Sequence, residues 1–165
     1  MTAGRSLSAA AALFGGVLAG GFADRALVQM PAWKRLGAQR WAEYSREADL
    51  RNGFAVYPTE AFGGLLLSAA AADVLHRERA PRPARVAAGA AAVLAAGGLI
   101  VTAKAAPIML SMRESKSDDE AGAALEGFWS WSKLRGALQV GAFVANVMAL
   151  SSYSFSTTAP STKAS

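Results

Sequence analysis

Four long apolar stretches, separated by segments that hold most of the charge, constrain this chain more than any other feature. The first, residues 6–23, contains no charged side chain. A helix of that length rises about 27 Å, close to the ~30 Å thickness of the hydrocarbon core of a bilayer. The lengths of the four stretches predict transmembrane helices near residues 6–29, 56–76, 84–106 and 133–153.

The apolar stretches themselves are residues 6–23, 57–75, 86–106 and 134–153. The charged residues within them lie towards the predicted helix ends, where side chains can reach the membrane interface. They are Glu60, Asp73, Lys104 and Arg135. The stretches are also rich in Gly and Ala, which in lipid let helix backbones approach closely. Gly16 and Gly20 have the Gly-x-x-x-Gly spacing, and we expect them to form a packing face between helices.

The composition excludes several classes of protein. Hydrophobic residues make up 53% of the chain and charged residues 18%, which is too apolar for a typical soluble domain. The net charge of +5 is spread between the apolar stretches, as in membrane proteins, rather than gathered for binding nucleic acid. Cysteine is absent and His76 is the only histidine, so one copy cannot form a thiolate or multi-histidine metal site. We expect no metal, no cofactor and no nucleic-acid partner.

The segment after the first stretch has an amphipathic pattern. Residues 32–50 place Trp33, Trp41 and Tyr44 among polar side chains, which predicts a helix lying at the membrane interface, with a solvated linker helix as the alternative. Pro31 is expected to end or kink the helix before it. The predicted fold is all-α: an integral membrane four-helix up-and-down bundle with an interfacial amphipathic helix after the first transmembrane helix.

The second long connection, residues 111–132, begins with polar residues and ends in an aromatic cluster at 128–131. The acidic run 118–120 is expected to form the first turn of a helix, where carboxylates interact favourably with the helix dipole. We predict one domain, residues 1–154, followed by a disordered Ser/Thr-rich tail, residues 155–165.

The first apolar stretch has an alternative interpretation as a cleaved signal peptide. Arg5 supplies a basic start, the apolar run follows, and residues 21–23 offer a cleavage site flanked by small residues. The apolar pattern resumes at Ala26, which favours a retained helix.

The hinge between the second and third stretches, residues 74–85, suggests an orientation. It is dense in arginine: Arg77, Arg79, Arg82 and Arg85. Dense positive charge in a short loop favours the cytoplasmic side, although the two longer loops together carry more basic residues. We therefore predict a multi-pass protein of the cell membrane with both termini in the cytoplasm.

An up-and-down order places one end of each helix at the same membrane face. That face would collect Glu60, Lys104 and Arg135, which we predict to pair around a polar-rimmed site, because an unpaired charge in a low-dielectric setting is costly. Tyr57, Trp129 and Trp131 are the predicted ligand-contacting residues at this face. The alternative is that each charged side chain only snorkels to the headgroups and anchors the bundle.

Asn146 lies about 16 Å deeper than Arg135 at helical rise. In lipid its amide requires a hydrogen-bond partner. It is expected to bond to another helix, with a contact to a substrate as the alternative.

Three sequence elements carry a family resemblance: Met30-Pro31 at the foot of the first helix, residues 104–108 closing the third, and residues 131–135 opening the fourth. With the four small-residue-rich helices, they resemble the family of small bacterial and fungal membrane proteins related to anthrone oxygenases. Counterparts of the family's Pro, Trp and Arg are Pro107, Trp129 or Trp131, and Arg135. The family's Asn around that Pro, and its Asn or His before that Arg, are absent here.

The resemblance implies a cofactor-independent oxygenase acting on a hydrophobic aromatic substrate. Glu60 would then serve as the base, with Arg135 and Lys104 stabilising the substrate anion. A different reading is a non-catalytic membrane subunit that binds other helices through its Ala/Gly faces. The expected partners are the lipid bilayer, a hydrophobic small molecule, and a second copy or another membrane protein.

Overall fold

The computed structural model describes residues 2–112 and 114–157, with side chains as far as Tyr153, and this part of the chain contains helices and no strand. The elements are α1 (Ala3–Asp24), a π-helical turn (Arg25–Gln29), α2 (Met30–Leu36), α3 (Ala38–Glu47), a second π-helical turn (Ala48–Asn52), α4 (Gly53–Arg77), α5 (Arg82–Ser111) and α6 (Asp118–Thr157). The predicted all-α class is confirmed for these residues.

Three helical segments are long and apolar enough, by length and composition, to cross a membrane. They are Ala3–Leu36, Arg82–Ser111 and Asp118–Tyr153. The fourth long helix, α4, which contains Glu60 and Asp73, is not among these segments. The structure therefore bears out three of the four predicted apolar spans.

The four long helices pack in a ring and alternate in direction. Both α1 and α5 pack against α4 and α6. At one end, Glu78, which follows α4, accepts hydrogen bonds from the Gly4 N–H near the start of α1 and from the hydroxyl of Tyr153 late in α6. At the other end, Arg25 after α1 meets Tyr57 early in α4 and Phe128 early in α6. The helix order is therefore up-down-up-down.

Small residues bring α1 and α6 together. A Cβ atom on Gly15 would lie 3.3 Å from the Cα of Phe143, and Gly16 faces the ring of the same phenylalanine. Gly20 is exposed, and a Cβ there would meet nothing within 4 Å. Each step of four residues along an α-helix rotates the side-chain direction by about 40° beyond one full turn. Gly20 therefore points about 40° away from the direction of Gly16, which contacts Phe143, and no longer faces α6. The packing face consists of Gly15 and Gly16 rather than Gly16 and Gly20.

Pro31 does not end the first helical segment. The π-helical turn directly before it closes with a hydrogen bond from the Met30 N–H to the Arg25 carbonyl, and the wider turn accommodates a residue that cannot donate. Helix α2 then continues to Leu36. The chain breaks at Gly37, whose φ of 96° is an unfavourable value for residues with a side chain.

The predicted interfacial helix is instead two short helices, α2 and α3, that pack onto the protein. Trp33 and Trp41 are 6% and 0% exposed and belong to a core cluster with Met109 of α5 and Phe128 of α6. Because α5 and α6 extend beyond their predicted spans, they offer an apolar surface that covers these rings. The rings of Trp33 and Trp41 are therefore covered by protein, and the position of this segment at the membrane interface stays a prediction.

Helices α5 and α6 are both longer than predicted. Helix α5 runs to Ser111, beyond the predicted end at residue 106, and contains Pro107. Helix α6 begins at Asp118 rather than near residue 133. The acidic residues 118–120 occupy the first turn of α6, as expected. Residues 155–157 of the predicted tail belong to α6, and the rest of that prediction lies outside the described residues.

The close contact between Gly15 and Phe143 predicts that a larger side chain at position 15 lowers the stability of the protein. Gly15→Leu forces bulk against the α6 backbone, and overpacking of this kind costs about 1–3 kcal/mol. The unfolding temperature of the purified protein in detergent should therefore fall. Gly20→Leu, the same change on the same helix but facing open space, should leave it nearly unchanged. Equal effects of the two substitutions would contradict this packing.

Candidate functional site at the junction of α1, α4 and α6

A buried ion pair between Arg25 and Asp49 forms the centre of the candidate site. Nη2 of Arg25 donates to Oδ1 of Asp49 over 2.8 Å, and the two side chains are 10% and 2% exposed. The same Nη2 donates to the Tyr57 hydroxyl over 3.0 Å, and that hydroxyl donates to Oδ1 over 2.8 Å. Ser45 donates to Oδ2 over 3.3 Å. Both oxygens of the Asp49 carboxylate are therefore hydrogen-bonded.

These hydrogen bonds explain how a charged pair is tolerated in the interior. Removing two ions from water is costly, and their attraction compensates only when further hydrogen bonds satisfy the remaining polar atoms. Tyr57 and Ser45 supply those bonds to Asp49. The network joins the end of α1, the segment before α4 and the start of α4 into one unit.

Both members of the pair belong to π-helical turns. Arg25 is the first residue of the turn after α1, and Asp49 is the second residue of the turn before α4. A π-helical turn changes the direction of the side chains relative to a regular α-helix, and such turns are frequent at functional sites. We interpret the two turns as the local cause that directs Arg25 and Asp49 towards each other.

Aromatic side chains surround the Arg25 guanidinium. Its Cζ atom lies 5.4 Å from the ring centroid of Tyr57 and 5.7 Å from that of Phe128, both within the range of cation–π attraction. Phe128 packs in turn on Trp41, with centroids 5.9 Å apart, and Trp41 packs on Trp33 at 5.8 Å. The rings of α2, α3 and α6 therefore shield the ion pair from water.

Arg135 brings a second guanidinium to this neighbourhood. It follows Phe128 by seven residues and so lies on the same face of α6. Its Nε atom is buried without a hydrogen-bond partner, and within the described chain its side chain forms no ion pair. Its guanidinium is largely buried, and its electrostatic neighbours include Arg25, Tyr57 and Asp49. Two guanidinium groups and one carboxylate leave one net positive charge.

Two further buried polar atoms close to these residues have no hydrogen-bond partner in the described structure. They are Oγ of Ser132 and Nε1 of Trp41. Ser132 lies between Phe128 and Arg135 on the same face of α6, and Trp41 contacts the Phe128 ring. The cluster of Arg25, Asp49 and Arg135 therefore has one excess positive charge and, beside it, two polar groups without a hydrogen-bond partner in the described structure.

The predicted site residues are only partly brought together. Tyr57 belongs to the cluster, and Trp129 stacks on Phe22 of α1 with centroids 6.4 Å apart. Trp131 is 38% exposed on the outside of α6. These aromatic residues therefore lie at the predicted end of the bundle, but only Tyr57 contacts the ion pair.

The predicted pairing of Glu60, Lys104 and Arg135 is not formed, since no ion pair or hydrogen bond joins them in the described residues. Lys104 is exposed, because the inward face of α5 is occupied by Val101 and Ala105. Glu60 is partly buried one turn after Tyr57. Helix direction brings the ends together, but rotation about each helix axis decides which side chains meet.

Asn146 makes the expected interhelical contact. Its Nδ2 donates to Oγ of Ser68 over 3.1 Å, and the two residues are 2% exposed. This bond crosses the middle of the bundle from α6 to α4, beside a cavity of about 30 Å³ that Thr102 and Gln139 also line. A cavity of this size accommodates about one water molecule.

Sequence reasoning missed Asp49, which lies within the amphipathic segment 32–50. The available signal was spacing: Trp41, Ser45 and Asp49 recur at steps of four residues and so share one helical face. All three are buried. An aspartate in register with a buried tryptophan therefore indicates an ionic partner inside the fold.

Comparisons with known proteins identify no relative. No protein-family model matches the chain, and searches of curated proteins and of solved structures found no match. In the described part of the chain, no group of three His, Cys, Asp or Glu residues is placed to hold a metal ion. The candidate site is therefore defined by its own geometry.

The buried ion pair makes a prediction that separates it from surface pairs. Asp49→Asn leaves the Arg25 charge buried without a counterion, and breaking a buried pair typically costs about 3–5 kcal/mol. The matched control is Glu43→Gln, which breaks the exposed Arg40–Glu43 pair, whose side chains are 72% and 53% exposed. That change should cost less than about 1 kcal/mol. Denaturant unfolding in detergent, followed by tryptophan fluorescence, measures both; similar costs would contradict the assignment.

Proposed function

We propose that this chain is an integral membrane protein that binds a small amphipathic anion beside Arg135. The observation that carries the proposal is the Arg135 guanidinium, whose Nε is buried and without a partner while Asp49 is committed to Arg25. A guanidinium can bind two oxygens of a carboxylate or a similar oxyanion at once. An anion at Arg135 would balance the excess positive charge of the cluster.

The membrane part of the proposal includes all four long helices. Helix α4 packs against both α1 and α5, two of the segments long and apolar enough to cross a bilayer. A bundle partner held between two such helices would cross with them. Its charged residues Glu60 and Asp73 lie towards opposite ends of its apolar stretch, where they can reach the interface.

The orientation proposed for this bundle places both termini and the arginine-rich hinge in the cytoplasm. Because the chain has no cysteine, a single introduced cysteine reports on one position. Arg82→Cys should react with a membrane-impermeant maleimide only after cells are permeabilised, since dense arginine resists translocation.

Arg40→Cys, on the exposed surface of α3 at the other end of the bundle, is the matched control. It should react in intact cells. Reaction of Arg82→Cys in intact cells, with Arg40→Cys protected, would mean the opposite orientation.

The neighbouring side chains favour an anion that carries an aromatic or other apolar body. Phe128 lies on the Arg135 face of α6, and Trp129 next to it in the chain packs on Phe22 of α1. Ser132 adds an unused hydroxyl one turn from Arg135. Sites for small molecules are typically apolar with a few fixed polar groups, and this combination has both.

A catalytic form of this proposal follows from the resemblance to anthrone oxygenases, in which the bound anion would derive from an aromatic substrate. Such a site needs a base. Asp49 is unsuited, because its oxygens accept three hydrogen bonds. Glu60, without an ion pair in the described chain and one turn from Tyr57, is the remaining carboxylate, while Lys104 faces outward and is not required.

The second candidate function is a non-catalytic membrane subunit, and one observation favours it. The cavity among α1, α4, α5 and α6 measures about 30 Å³, far below the ~300 Å³ of an ordinary ligand pocket. A bundle this closely packed would serve as a scaffold for other helices. The proposed anion site avoids this objection because it lies at the end of the bundle and not in its middle.

Binding of a simple aromatic anion tests the proposal. Titration with 1-naphthoate in detergent should quench tryptophan fluorescence saturably, whereas neutral 1-naphthamide should not. Arg135→Ala should weaken naphthoate binding at least roughly tenfold, because it removes a charge-assisted hydrogen bond. Arg135→Lys should retain part of the affinity, since it keeps the charge but not the two-pronged geometry.

The control variant is Lys133→Ala, which removes an exposed cation two residues away. It should bind naphthoate like the unmodified protein. Equal binding of naphthoate and naphthamide, or undiminished binding by Arg135→Ala, would contradict the anion site and favour the scaffold. Oxygen uptake with anthrone, lost in Glu60→Gln, would distinguish catalysis from binding alone.

A further inference from the structure

An open groove lies at the arginine-rich hinge, at the opposite end of the bundle from Arg135. It measures about 340 Å³ and is lined by His76 of α4 and by Arg82, Arg85 and Val86 of α5. Three of its four lining residues carry basic side chains. Two of the four are arginines, so the groove is positively charged.

The acidic groups nearest in sequence, as far as the structure describes them, form no ion pair with these cations. Asp73 is paired with Arg77 over 3.0 Å. Glu78 accepts hydrogen bonds from the Gly4 N–H and the Tyr153 hydroxyl. Within the described residues, Arg82 and Arg85 form no ion pair, and the Nε of Arg85 is buried without an acceptor.

The position of these arginines on α5 is electrostatically unfavourable for the helix alone. Arg82 and Arg85 occupy the first turns of a 30-residue helix that has no acidic residue in its first turn. The N-terminal end of a helix carries partial positive charge and favours anions. The positive charges of Arg82 and Arg85 are therefore repelled by the helix dipole. An anion bound between them would remove this repulsion.

The hinge holds the groove in a defined shape. The Ala80 N–H bonds to the Leu75 carbonyl over 3.0 Å, and Arg79 adopts a φ of 52° at the end of α4. This is the Schellman arrangement, in which glycine is the usual residue at the left-handed position. Ala80 and Leu75 are both buried, and Pro81 precedes α5. The basic side chains therefore project from a fixed turn.

An apolar stripe begins at the groove and runs along α5. Val86, Val93 and Ile100 are 63%, 72% and 68% exposed and recur every seven residues, so they lie on nearly the same face. From first to last the stripe is about 21 Å long, more than half the ~30 Å hydrocarbon core. An acyl chain of one leaflet would fit along it.

We propose that this groove is a binding site for an anionic glycerophospholipid, with its phosphate between Arg82 and Arg85 and an acyl chain along the Val86 stripe. Charge complementarity selects the phosphate, and the stripe selects a lipid over a free anion. Basic pockets between membrane helices are known to hold anionic headgroups. The site goes beyond the anion site at Arg135, from which it is separated by the length of the bundle.

Thermal unfolding of the full chain in neutral detergent tests the site with three probes. Phosphatidylglycerol should raise the unfolding temperature, because a ligand that binds only the folded state stabilises it. Phosphatidylcholine and inorganic phosphate should not. An equal rise with inorganic phosphate would overturn the lipid assignment in favour of a free-anion site, and no rise with phosphatidylglycerol would overturn the site itself.

Substitutions at Arg82 and Arg85 test whether phosphatidylglycerol binds at this groove. The double variant Arg82→Ala with Arg85→Ala should bind phosphatidylglycerol roughly thirtyfold more weakly, whereas Arg82→Lys with Arg85→Lys should keep most of the binding. The matched control, Arg40→Ala with Arg51→Ala, removes the same charge from exposed arginines at the other end and should bind normally. Equal weakening by both alanine pairs would show general charge attraction and overturn the site.

The unfolding temperature of each variant without lipid shows whether it folds. If the arginine-to-alanine variant does not fold, the site is still tested by lipid binding to the Arg82→Lys, Arg85→Lys variant and by the comparison of phosphatidylglycerol, phosphatidylcholine and inorganic phosphate on the unmodified protein. A chain recovered in the soluble fraction would defeat the membrane proposal, whereas a membrane-embedded chain that does not discriminate phosphatidylglycerol would defeat only this inference.

Discussion

The buried pair of Arg25 and Asp49 is the interaction on which one whole end of the molecule depends. Two charges removed from water must be paired and hydrogen-bonded, and the chain meets that requirement by bringing together segments that are distant in sequence. Two π-helical turns present the pair, Tyr57 and Ser45 satisfy the carboxylate, and Phe128 covers the guanidinium. The short helices α2 and α3 therefore pack onto the bundle, where their tryptophan rings exclude water from the ions.

The body of the bundle follows from a different constraint, the small size of its contact residues. Gly15 and Gly16 let α1 approach Phe143 of α6 closely, and the hydrogen bond from Asn146 to Ser68 crosses the interior. Such packing leaves about 30 Å³ among the helices, so an organic ligand has no room there. Both proposed sites therefore lie at the ends of the bundle, where loops and helix termini introduce charge.

The two ends carry the same sign of charge but differ in their surroundings. At one, an unpaired Arg135 lies among aromatic rings and buried polar atoms, which suits a small anion with an apolar body. At the other, Arg82 and Arg85 border an open groove continuous with an exposed apolar stripe, which suits a lipid. At each end a nearby carboxylate is already paired with another arginine, Asp49 with Arg25 and Asp73 with Arg77.

The sequence by itself determined the helical class, three of the four predicted apolar spans, the acidic first turn of α6 and the need of Asn146 for a partner, because periodicity, length and the cost of an unpaired amide are local properties. Only the tertiary structure decided that Asp49 pairs with Arg25, that Trp33 and Trp41 are buried, and that Glu60, Lys104 and Arg135 do not pair. Those outcomes depend on the rotation of each helix about its axis and on surfaces supplied by distant segments. The pattern along one segment does not contain that information.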